Sequence, residues 1–405
     1  MLNKTALNSV HRELGGQLTD FGGWEMPLWY PTGGVKEHLY VIEKSGVFDI
    51  GHMSVVRVRG RDTYGLLQLC LTRNIEKLAV GSCGYSVILN EEGHVVDDTI
   101  VYNMGGDDAN REYILVVNAG MGSVVAEHLT KHNTFKNVTI RDDAGNFGKI
   151  DLQGPSSVSI VKKLLAKGKG SVEGLKYFKF LGDYADKNSP VRLPGDVPIL
   201  LSRTGYTGEV GFEILTPPDK TLAVWNMILE TGGDEVIPCG LAARDSLRAG
   251  AMLPLSHQDI GHWPFVNTPW FFALPLDKEG KLTKSFIGAG LYENSPSQYT
   301  LPFCGFDPRK VETDNAVALL DGEKIGVVPT CVIDMAIGRS GGRIYSIASP
   351  DKPEGFHARG LVCGFIRVDR PVAPGAKVTL KDARRSIEVE VVADIRPART
   401  ARINI

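Results

Sequence analysis

RTGYTGEVGFEI, residues 203–214, places three glycines within seven residues, where they let the backbone turn tightly or approach a ligand closely. Their spacing matches neither the G-x-x-x-x-G-K-[ST] phosphate loop nor G-x-G-x-x-G, so nucleotide phosphate is not the expected ligand. The stretch also carries the ring of Tyr206 and the carboxylate of Glu213. A flat heterocycle with an amidine-like edge could pack on the ring and donate two parallel N–H groups to the carboxylate. Taken alone, the stretch is also typical of a glycine-rich hairpin with a surface glutamate, so other segments must decide.

The composition indicates a soluble globular protein of more than one domain. At 405 residues the chain is too long for one small core, and its hydrophobic content of 43% is ordinary. A formal net charge of −2 argues against a nucleic-acid partner, which would require a basic surface. No apolar run reaches the ~18 residues of a membrane span, and the N-terminus lacks the apolar core of a signal peptide. We therefore expect no membrane partner and a cytoplasmic protein, or a mitochondrial matrix enzyme without its presequence.

The six cysteines are scattered and form no C-x-x-C pair. This spacing excludes the usual zinc motifs and provides no disulfide framework, so we expect buried free thiols. The nine histidines are dispersed as well, and we expect no metal site.

Hydrophobic patterns divide residues 1–260 into mixed strands and helices. Residues 85–89 and 99–102 are expected to pair as a hairpin across a polar turn. Pro155 is expected to open a helix that stops at Gly168. Strands and helices alternate without a strict βαβ rhythm, which predicts an α+β architecture in two subdomains.

The pattern changes after residue 260. Residues 261–284 are predicted to be a linker, since the first sixteen of them hold two tryptophans and three prolines and cannot form a regular helix or a central strand. From 285 to 405 short strands dominate; Ile387, Val389 and Val391 alternate with polar residues, as on a strand with one buried face. This segment is predicted to be a small β-barrel or sandwich domain.

Six further segments carry short motifs: Asp20–Pro27 (DFGGWEMP), Glu37-His38 with Val47–Met53 (VFDIGHM), Asn90–Asp98 (NEEGHVVDD), Val116–Ala119 (VVNA), Leu152–Pro155 (LQGP) and Gly240–Arg248 (GLAARDSLR). Together with residues 203–214 they resemble, in the same order, the motifs of the glycine-cleavage T-protein family, the folate-dependent aminomethyltransferases. The resemblance covers about residues 10–260 and implies a multidomain folate-binding aminomethyltransferase fold.

The resemblance also implies an activity and its partners. An aminomethyl group would arrive as a thioether on the lipoyl arm of a partner H-protein, and tetrahydrofolate would be the co-substrate. The products would be methylenetetrahydrofolate, ammonia and reduced lipoate.

The family pattern places three side chains on the folate. It puts Glu213 on the amino-pyrimidine edge of the pterin, Tyr206 beside the ring, and Arg244 near the aminobenzoyl part. An arginine suits that place because its planar guanidinium stacks and pairs with carbonyl or carboxylate groups, although Arg244 could instead belong to a surface ion pair. The remaining pocket lining that the family implies consists of Tyr85, Met53 and Asn118.

Asp97 and Asp98 are adjacent carboxylates that could carry chemistry. Neighbours on an extended strand point to opposite faces, so only one of the two can enter a pocket, and the residues alone do not say which. Both could instead cap a hairpin strand. The resemblance selects Asp97 as the catalytic carboxylate. It would hold negative charge beside a developing iminium and accept the proton of the attacking nitrogen.

Three positions depart from the family pattern. Gly250 stands where the family has a glutamate, Gly51 replaces a serine before His-Met, and His94 replaces a glycine before the aspartate pair. Two other functions therefore stay open: a folate-dependent demethylase of a sulfonium or methylamine compound, and a non-catalytic folate-binding iron–sulfur assembly factor. The second is marked by a K-G-C-Y-x-G-Q-type sequence, which this chain lacks.

Overall fold

The computed structural model describes residues 1–261, 270–294 and 298–405. Its α-helices are α1 (Asn8–Glu13), α2 (Gly34–Glu43), α3 (Thr63–Cys70), α4 (Gly122–Lys131), α5 (Ser157–Lys167), α6 (Thr221–Gly232) and α7 (Leu241–Gly250). A π-helical turn follows at Ser256–Ile260. In the described part of the chain no helix is long and apolar enough to cross a membrane.

Strands occur along the whole chain. Before residue 240 they are β1 (Gln17–Phe21), β2 (Trp24–Trp29), β3 (Gly46–Asp49), β4 (Ser54–Arg59), β5 (Cys83–Leu89), β6 (Val95–Gly105), β7 (Glu112–Val117), β8 (Thr139–Asp142), β9 (Gly148–Gln153), β10 (Phe180–Leu181), β11 (Arg192–Leu193), β12 (Val197–Pro198), β13 (Leu200–Ser202), β14 (Gly211–Thr216) and β15 (Ile237–Pro238). The later strands are β16 (Tyr299–Gly305), β17 (Val317–Leu320), β18 (Glu323–Asp334), β19 (Ile337–Ser340), β20 (Arg343–Ser346), β21 (Leu361–Val368), β22 (Lys377–Lys381) and β23 (Ser386–Val391).

Two sheets build the N-terminal region. One has the order β5-β6-β7-β4-β8, and the other has the order β10-β13-β14-β9-β3-β15. Neighbouring strands are antiparallel except for the parallel pair β3 and β15. The two-stranded ribbons β1-β2, β11-β12 and β19-β20 lie outside these sheets.

The two sheets pack face to face, and helices cover their outer faces. On β4, Val55 shares an apolar cluster with Leu200 and Leu215 of the other sheet, whereas its neighbour Val56 shares one with α3 and α4. Helices α5 and α6 cover the outer face of the other sheet in the same way. Because successive side chains of a strand alternate and each sheet has two apolar faces to bury, four layers result: helix, sheet, sheet, helix.

The C-terminal strands close into a barrel of order β16-β21-β18-β17-β22-β23, since β16 pairs with both β21 and β23. Ile387, Val389 and Val391 point into its core. Helix α7 packs on β18 and β21, which brings the barrel against the N-terminal region.

The predicted α+β class with a C-terminal β-barrel is confirmed. The hairpin β5–β6 and the helix α5, whose C-cap is Gly168, also agree with the sequence patterns. All six cysteines are buried free thiols, as expected. Of the predicted linker, residues 262–269 lie outside the described residues, and the domain limits stay predictions.

Candidate functional site

A cavity of about 1280 Å³ lies where the facing sheets, helix α7 and the C-terminal residues 393–402 meet. Pockets for a single small ligand typically have about 300–1000 Å³, so this one also has room for part of a second substrate. The predicted site residues that line it are Met53, Tyr85, Asn118, Tyr206, Glu213 and Arg244. Asp97 does not line the cavity, whereas Asp98 does.

The RTGYTGEVGFEI stretch forms the turn of the hairpin β13–β14 and most of its second strand. Its glycines leave space for the side chain of Gln153 in β9, because a Cβ at Gly205 would lie 2.0 Å from the carboxamide of that residue. Gln153 is fixed there by hydrogen bonds of 3.0 Å to the Thr204 carbonyl and 3.0 Å from the Thr207 hydroxyl. The interpretation of this stretch as a glycine-rich hairpin is right. Its glutamate does not lie on the surface, however, since Glu213 is buried.

Glu213 is a carboxylate on the cavity wall with a buried cation beside it. The Lys149 ammonium lies 2.6 Å from Glu213 Oε1, and the Thr204 hydroxyl donates to Oε2 at 2.5 Å. Burial by itself raises the pKa of Glu213, but Lys149 and Thr204 outweigh it and hold this pKa below its ordinary value. Glu213 is therefore an ionised hydrogen-bond acceptor at neutral pH.

Arg244 connects the hairpin loop to strand β9. Its guanidinium lies 4.7 Å from the centroid of the Tyr206 ring and 3.0 Å from a carboxylate oxygen of Asp151. Asp151 faces Glu213 across the β9–β14 pair, and burial together with the Glu213 charge raises the pKa of Asp151 to about 7. The Tyr206 hydroxyl donates to the Pro254 carbonyl, which fixes the ring beneath Arg244. Because its partner is fully buried, Arg244 does not form a surface ion pair.

Asp97 and Asp98 both lie in β6, and only the second faces the cavity. Asp97 is fully buried and accepts hydrogen bonds from the Asn118 backbone N–H at 3.0 Å and from the Asn118 side chain at 2.6 Å. Asp98 accepts from the same Asn118 amide at 2.7 Å and from the Tyr85 hydroxyl at 2.9 Å. Burial and the neighbouring Asp97 raise the pKa of Asp98 to about 7. Asp98 thus lines the cavity, and Asp97 is joined to it through the Asn118 amide; the role of Asp97 as the catalytic carboxylate stays a prediction.

His52 adds a neutral polar group to the cavity wall. Burial lowers the pKa of His52 to about 3, so the imidazole carries no charge at neutral pH. Its ring packs edge-on against Phe21, with centroids 5.3 Å apart. Among the described residues the buried His52 Nδ1 has no hydrogen-bond partner.

Three charged residues near the site were not predicted: Lys149, Asp151 and His257. The first two stand two apart in β9, a strand whose residues are all buried, and a lysine and an aspartate in such a strand are a signal that could have revealed them. His257 lies in the π-helical turn after α7, with Nε2 3.3 Å from Asp97 Oδ1. No sequence motif marks it.

Within residues 1–261, 270–294 and 298–405, no group of three or more His, Cys, Asp and Glu side chains is arranged to hold a metal ion. One histidine pair does lie a helical turn apart, His128 and His132, with ring centroids at 4.5 Å. His132 uses both ring nitrogens elsewhere, one with Glu91 at 3.0 Å and one with the His128 carbonyl at 2.9 Å.

Comparison with known proteins gives consistent matches. The family model described as the GCVT N-terminal domain matches residues 7–263. A protein of Streptomyces avermitilis called aminomethyltransferase is 34% identical over 83% of this chain and 87% of its own length. One of the same name from Cutibacterium acnes is 34% identical over 89% of this chain and 87% of its own. A crystal structure of glycine cleavage system aminomethyltransferase T from Bartonella henselae superposes with a TM-score of 0.78, at 25% identity and with full coverage of both chains.

Proposed function

The chain belongs to the glycine-cleavage T-protein family of aminomethyltransferases, and we propose that its cavity binds tetrahydrofolate as the acceptor of the transferred carbon. Relatives that span most of the chain are aminomethyltransferases, so this protein is a transferase of that kind. The demethylase and the iron–sulfur assembly factor are not favoured. We propose a lipoylated H-protein as the donor; a cytoplasmic or matrix location stays a prediction.

One observation carries the folate proposal: the cavity holds two carboxylates whose surroundings push their pKa values apart. The pKa of Glu213 lies below its usual value, whereas burial and Asp97 raise that of Asp98 to about 7. A permanently ionised carboxylate suits recognition of the N–H donors on an amino-pyrimidine edge. A carboxylate that titrates near neutral pH suits proton transfer. The two roles therefore fall to different residues.

The rest of the wall fits a pterin as well. The stacked pair of Arg244 and Tyr206 offers a flat surface on the cavity wall that Glu213 also lines. Aromatic side chains from the far side, Phe272 and Tyr85, lie with ring centroids 5.6 Å apart and enclose the cavity beside Asp98.

When bound, tetrahydrofolate supplies two N–H nitrogens that replace ammonia and the lipoyl sulfur on the aminomethyl carbon, so that two protons leave with these groups. We assign to Asp97, the catalytic carboxylate that the family resemblance implies, and to Asp98, which is joined to it through the Asn118 amide, the acceptance of the proton that the attacking nitrogen loses and its return to the departing sulfur. The charge of Asp98 also stabilises the positive charge that develops on the carbon. Tyr85 and Asn118 hold the carboxylate at 2.9 and 2.7 Å, which fixes it for both tasks.

The test compares Asp98→Asn with Asp97→Asn. Since Asn keeps the shape and removes the charge, we expect Asp98→Asn to bind tetrahydrofolate but to release ammonia about 10²–10⁴-fold more slowly. Asp97→Asn tests the role that the resemblance gives to Asp97, and it should also slow ammonia release strongly while keeping much of the folate affinity. The measurement is single-turnover ammonia release from aminomethyl-lipoyl H-protein, with titration calorimetry for folate affinity.

If Asp97→Asn loses ammonia release while Asp98→Asn keeps it, the assignment of Asp98 is wrong. A parent enzyme that binds no tetrahydrofolate would contradict the folate proposal itself.

A further inference from the structure

Two carboxylates face each other on the sheet that forms one wall of the cavity. Asp151 of β9 and Glu213 of β14 are partners across the two antiparallel strands, so their side chains point to the same face of the sheet. Glu213 lines the cavity, whereas Asp151 is fully buried and does not line it. Like charges directly opposite each other destabilise a sheet, so this pair requires cations to compensate it.

Each of the two carboxylates has a cation of its own. Lys149 Nζ lies 2.6 Å from Glu213 Oε1, and Arg244 Nη1 lies 3.0 Å from Asp151 Oδ2. The imidazole of His52, which also lines the cavity, is uncharged because burial lowers its pKa to about 3. The four ionised side chains therefore balance one another, and each acid binds a different base.

The contact with Asp151 determines where the Arg244 guanidinium lies. Arg244 belongs to α7 and lines the cavity, and its guanidinium lies 4.7 Å from the centroid of the Tyr206 ring. Asp151 reaches the same guanidinium from the sheet. A planar cation that is bonded at one edge and packed on a ring has lost most of its freedom to rotate.

Glu213 is the carboxylate that would attract Arg244 if Asp151 were absent. The charge of Arg244 already acts on Glu213 and contributes to the lowering of its pKa. A guanidinium that moved onto Glu213 would occupy the acceptor oxygens that a ligand with N–H donors requires. Asp151 thus separates two groups of the cavity wall that would otherwise bind each other.

We propose that Asp151 is a positioning residue for ligand binding: it holds the Arg244 guanidinium over the Tyr206 ring and away from Glu213. Arg244 and Glu213 then stay available to different parts of one bound molecule. This inference rests on the proposed binding of tetrahydrofolate in the cavity. Asp151 acts through Arg244 and does not itself contact the ligand.

The first test is the affinity for tetrahydrofolate, measured by titration calorimetry at pH 8. Burial and the Glu213 charge raise the pKa of Asp151 to about 7, so the carboxylate is mostly ionised at this pH. Asp151→Asn should bind tetrahydrofolate about tenfold more weakly, which corresponds to the loss of one hydrogen bond with a charged group. Asp196→Asn breaks an exposed pair with Arg192 outside the cavity and should leave the affinity unchanged.

The same substitution in an Arg244→Met background shows whether Asp151 acts through Arg244. Without the guanidinium, Asp151 becomes protonated and has nothing to position. Asp151→Asn should therefore add no further loss of affinity to that of Arg244→Met. This comparison does not depend on the folding of the single variant Asp151→Asn, in which the Arg244 charge is left buried without its partner.

An NMR signal of Arg244 gives a readout that needs no ligand. In protein labelled with ¹⁵N-arginine, the Nε–Hε signal of Arg244 is assigned by its loss in Arg244→Met. The Tyr206 ring should shift this signal upfield in the parent, and Asp151→Asn should move it toward the position of an exposed arginine. A side chain that only stabilised the sheet would lower the denaturant midpoint without moving the signal of the folded protein.

Two results overturn the proposal. One is an unchanged Arg244 signal in folded Asp151→Asn, and the other is an equal loss of affinity by Asp151→Asn with and without Arg244. A parent protein that binds no tetrahydrofolate contradicts the proposed function instead, and the NMR signal then still decides whether Asp151 positions Arg244.

Discussion

At the scale of single residues, the pair of Lys149 and Glu213 sets the charge of a carboxylate on the cavity wall. The Lys149 side chain is 1% exposed and that of Glu213 is 8% exposed, so neither charge is screened by water. Removing one partner of such a buried pair costs about 3–5 kcal/mol, or else the remaining group becomes neutral. The lysine is therefore what lets Glu213 remain a carboxylate.

Lys149→Met tests this dependence. Without the ammonium, burial dominates and raises the pKa of Glu213, so folate affinity should be weak at pH 6 and recover as the pH rises through the new value. In the parent the pKa of Glu213 is depressed, and this group should cause no change in affinity between pH 6 and 8. Titration calorimetry with tetrahydrofolate across this range measures the difference.

Two control variants separate binding from stability. Lys149→Met combined with Glu213→Leu removes both charges and should recover most of the denaturant midpoint without recovering folate affinity. Lys131→Met removes a lysine from the exposed pair with Glu91 and should alter neither quantity. Equal folate affinity of Lys149→Met at pH 6 and 8, at the parental value, would show that the Glu213 charge is not used.

At the scale of elements, helix α7 explains the departure at Gly250. A Cβ at this position would lie 2.0 Å from Asp334 Oδ2 and 2.7 Å from a guanidinium nitrogen of Arg396. Both side chains are fully buried and bonded to each other at 2.8 Å, so they cannot easily move aside. Gly250 does not line the cavity. The glycine in place of the family's glutamate is therefore explained by the close contact between α7 and the barrel.

Gly250→Ala should destabilise the protein. In a helix interior the change to alanine is favourable by up to about 1 kcal/mol, but Gly250 is the last residue of α7, and the clash there should dominate and cost about 1–3 kcal/mol. The matched control is Gly290→Ala, because a Cβ there meets nothing within 4 Å. Denaturant midpoints of both variants decide the matter; a Gly250→Ala protein as stable as its parent would mean that Asp334 and Arg396 can rearrange.

At the scale of the whole molecule, one buried network joins the barrel to the N-terminal region. Asp334 at the end of β18 accepts from His38 of α2 at 2.9 Å and from Arg396 at 2.8 Å. Arg396 also donates to the carbonyl groups of Thr207 and Leu247. These contacts link the barrel, the C-terminal segment, two helices and the glycine-rich loop beside the cavity.

Asp334→Asn should lower stability in a pH-dependent way. Burial by itself raises the pKa of Asp334, but Arg396 and His38 outweigh it and hold this pKa well below its ordinary value. A carboxyl whose pKa is depressed by folding stabilises the folded protein. This stabilisation is fully present above the pKa of the unfolded state, about 3.9, and is lost as the pH falls through the pKa of the folded state. Asp334→Asn should therefore cost about 3–5 kcal/mol at pH 7, and the difference from the parent should shrink below about pH 4.

Urea unfolding between pH 7 and 3 measures that difference. Asp314→Asn, at an exposed position near the barrel strand β17, serves as the control and should follow the parent at every pH. A constant difference between Asp334→Asn and the parent down to pH 3 would rule out the ionised carboxylate as the cause.

Local patterns were enough to predict much of this protein from its sequence. Three features depend only on residues that are close in the sequence: the alternation in β23, the hairpin β5–β6 and the end of α5 at Gly168. In the strand, the periodicity of apolar residues indicates which face is buried. The glycine-rich hairpin with Tyr206 and Glu213 was also visible, since its constraints lie within a dozen residues.

Only the tertiary structure decided what surrounds those residues. Side-chain alternation along a strand predicts that Asp97 and Asp98 face opposite sides of the sheet. Which of the two lines the cavity depends on which side of β6 meets it, and the packing of distant segments sets that side. Lys149 meets Glu213 across 64 residues and Asp334 meets His38 across 296, so no local pattern carries either pair. Charge compensation in a buried site acts through space, and the chain brings its partners together only by folding.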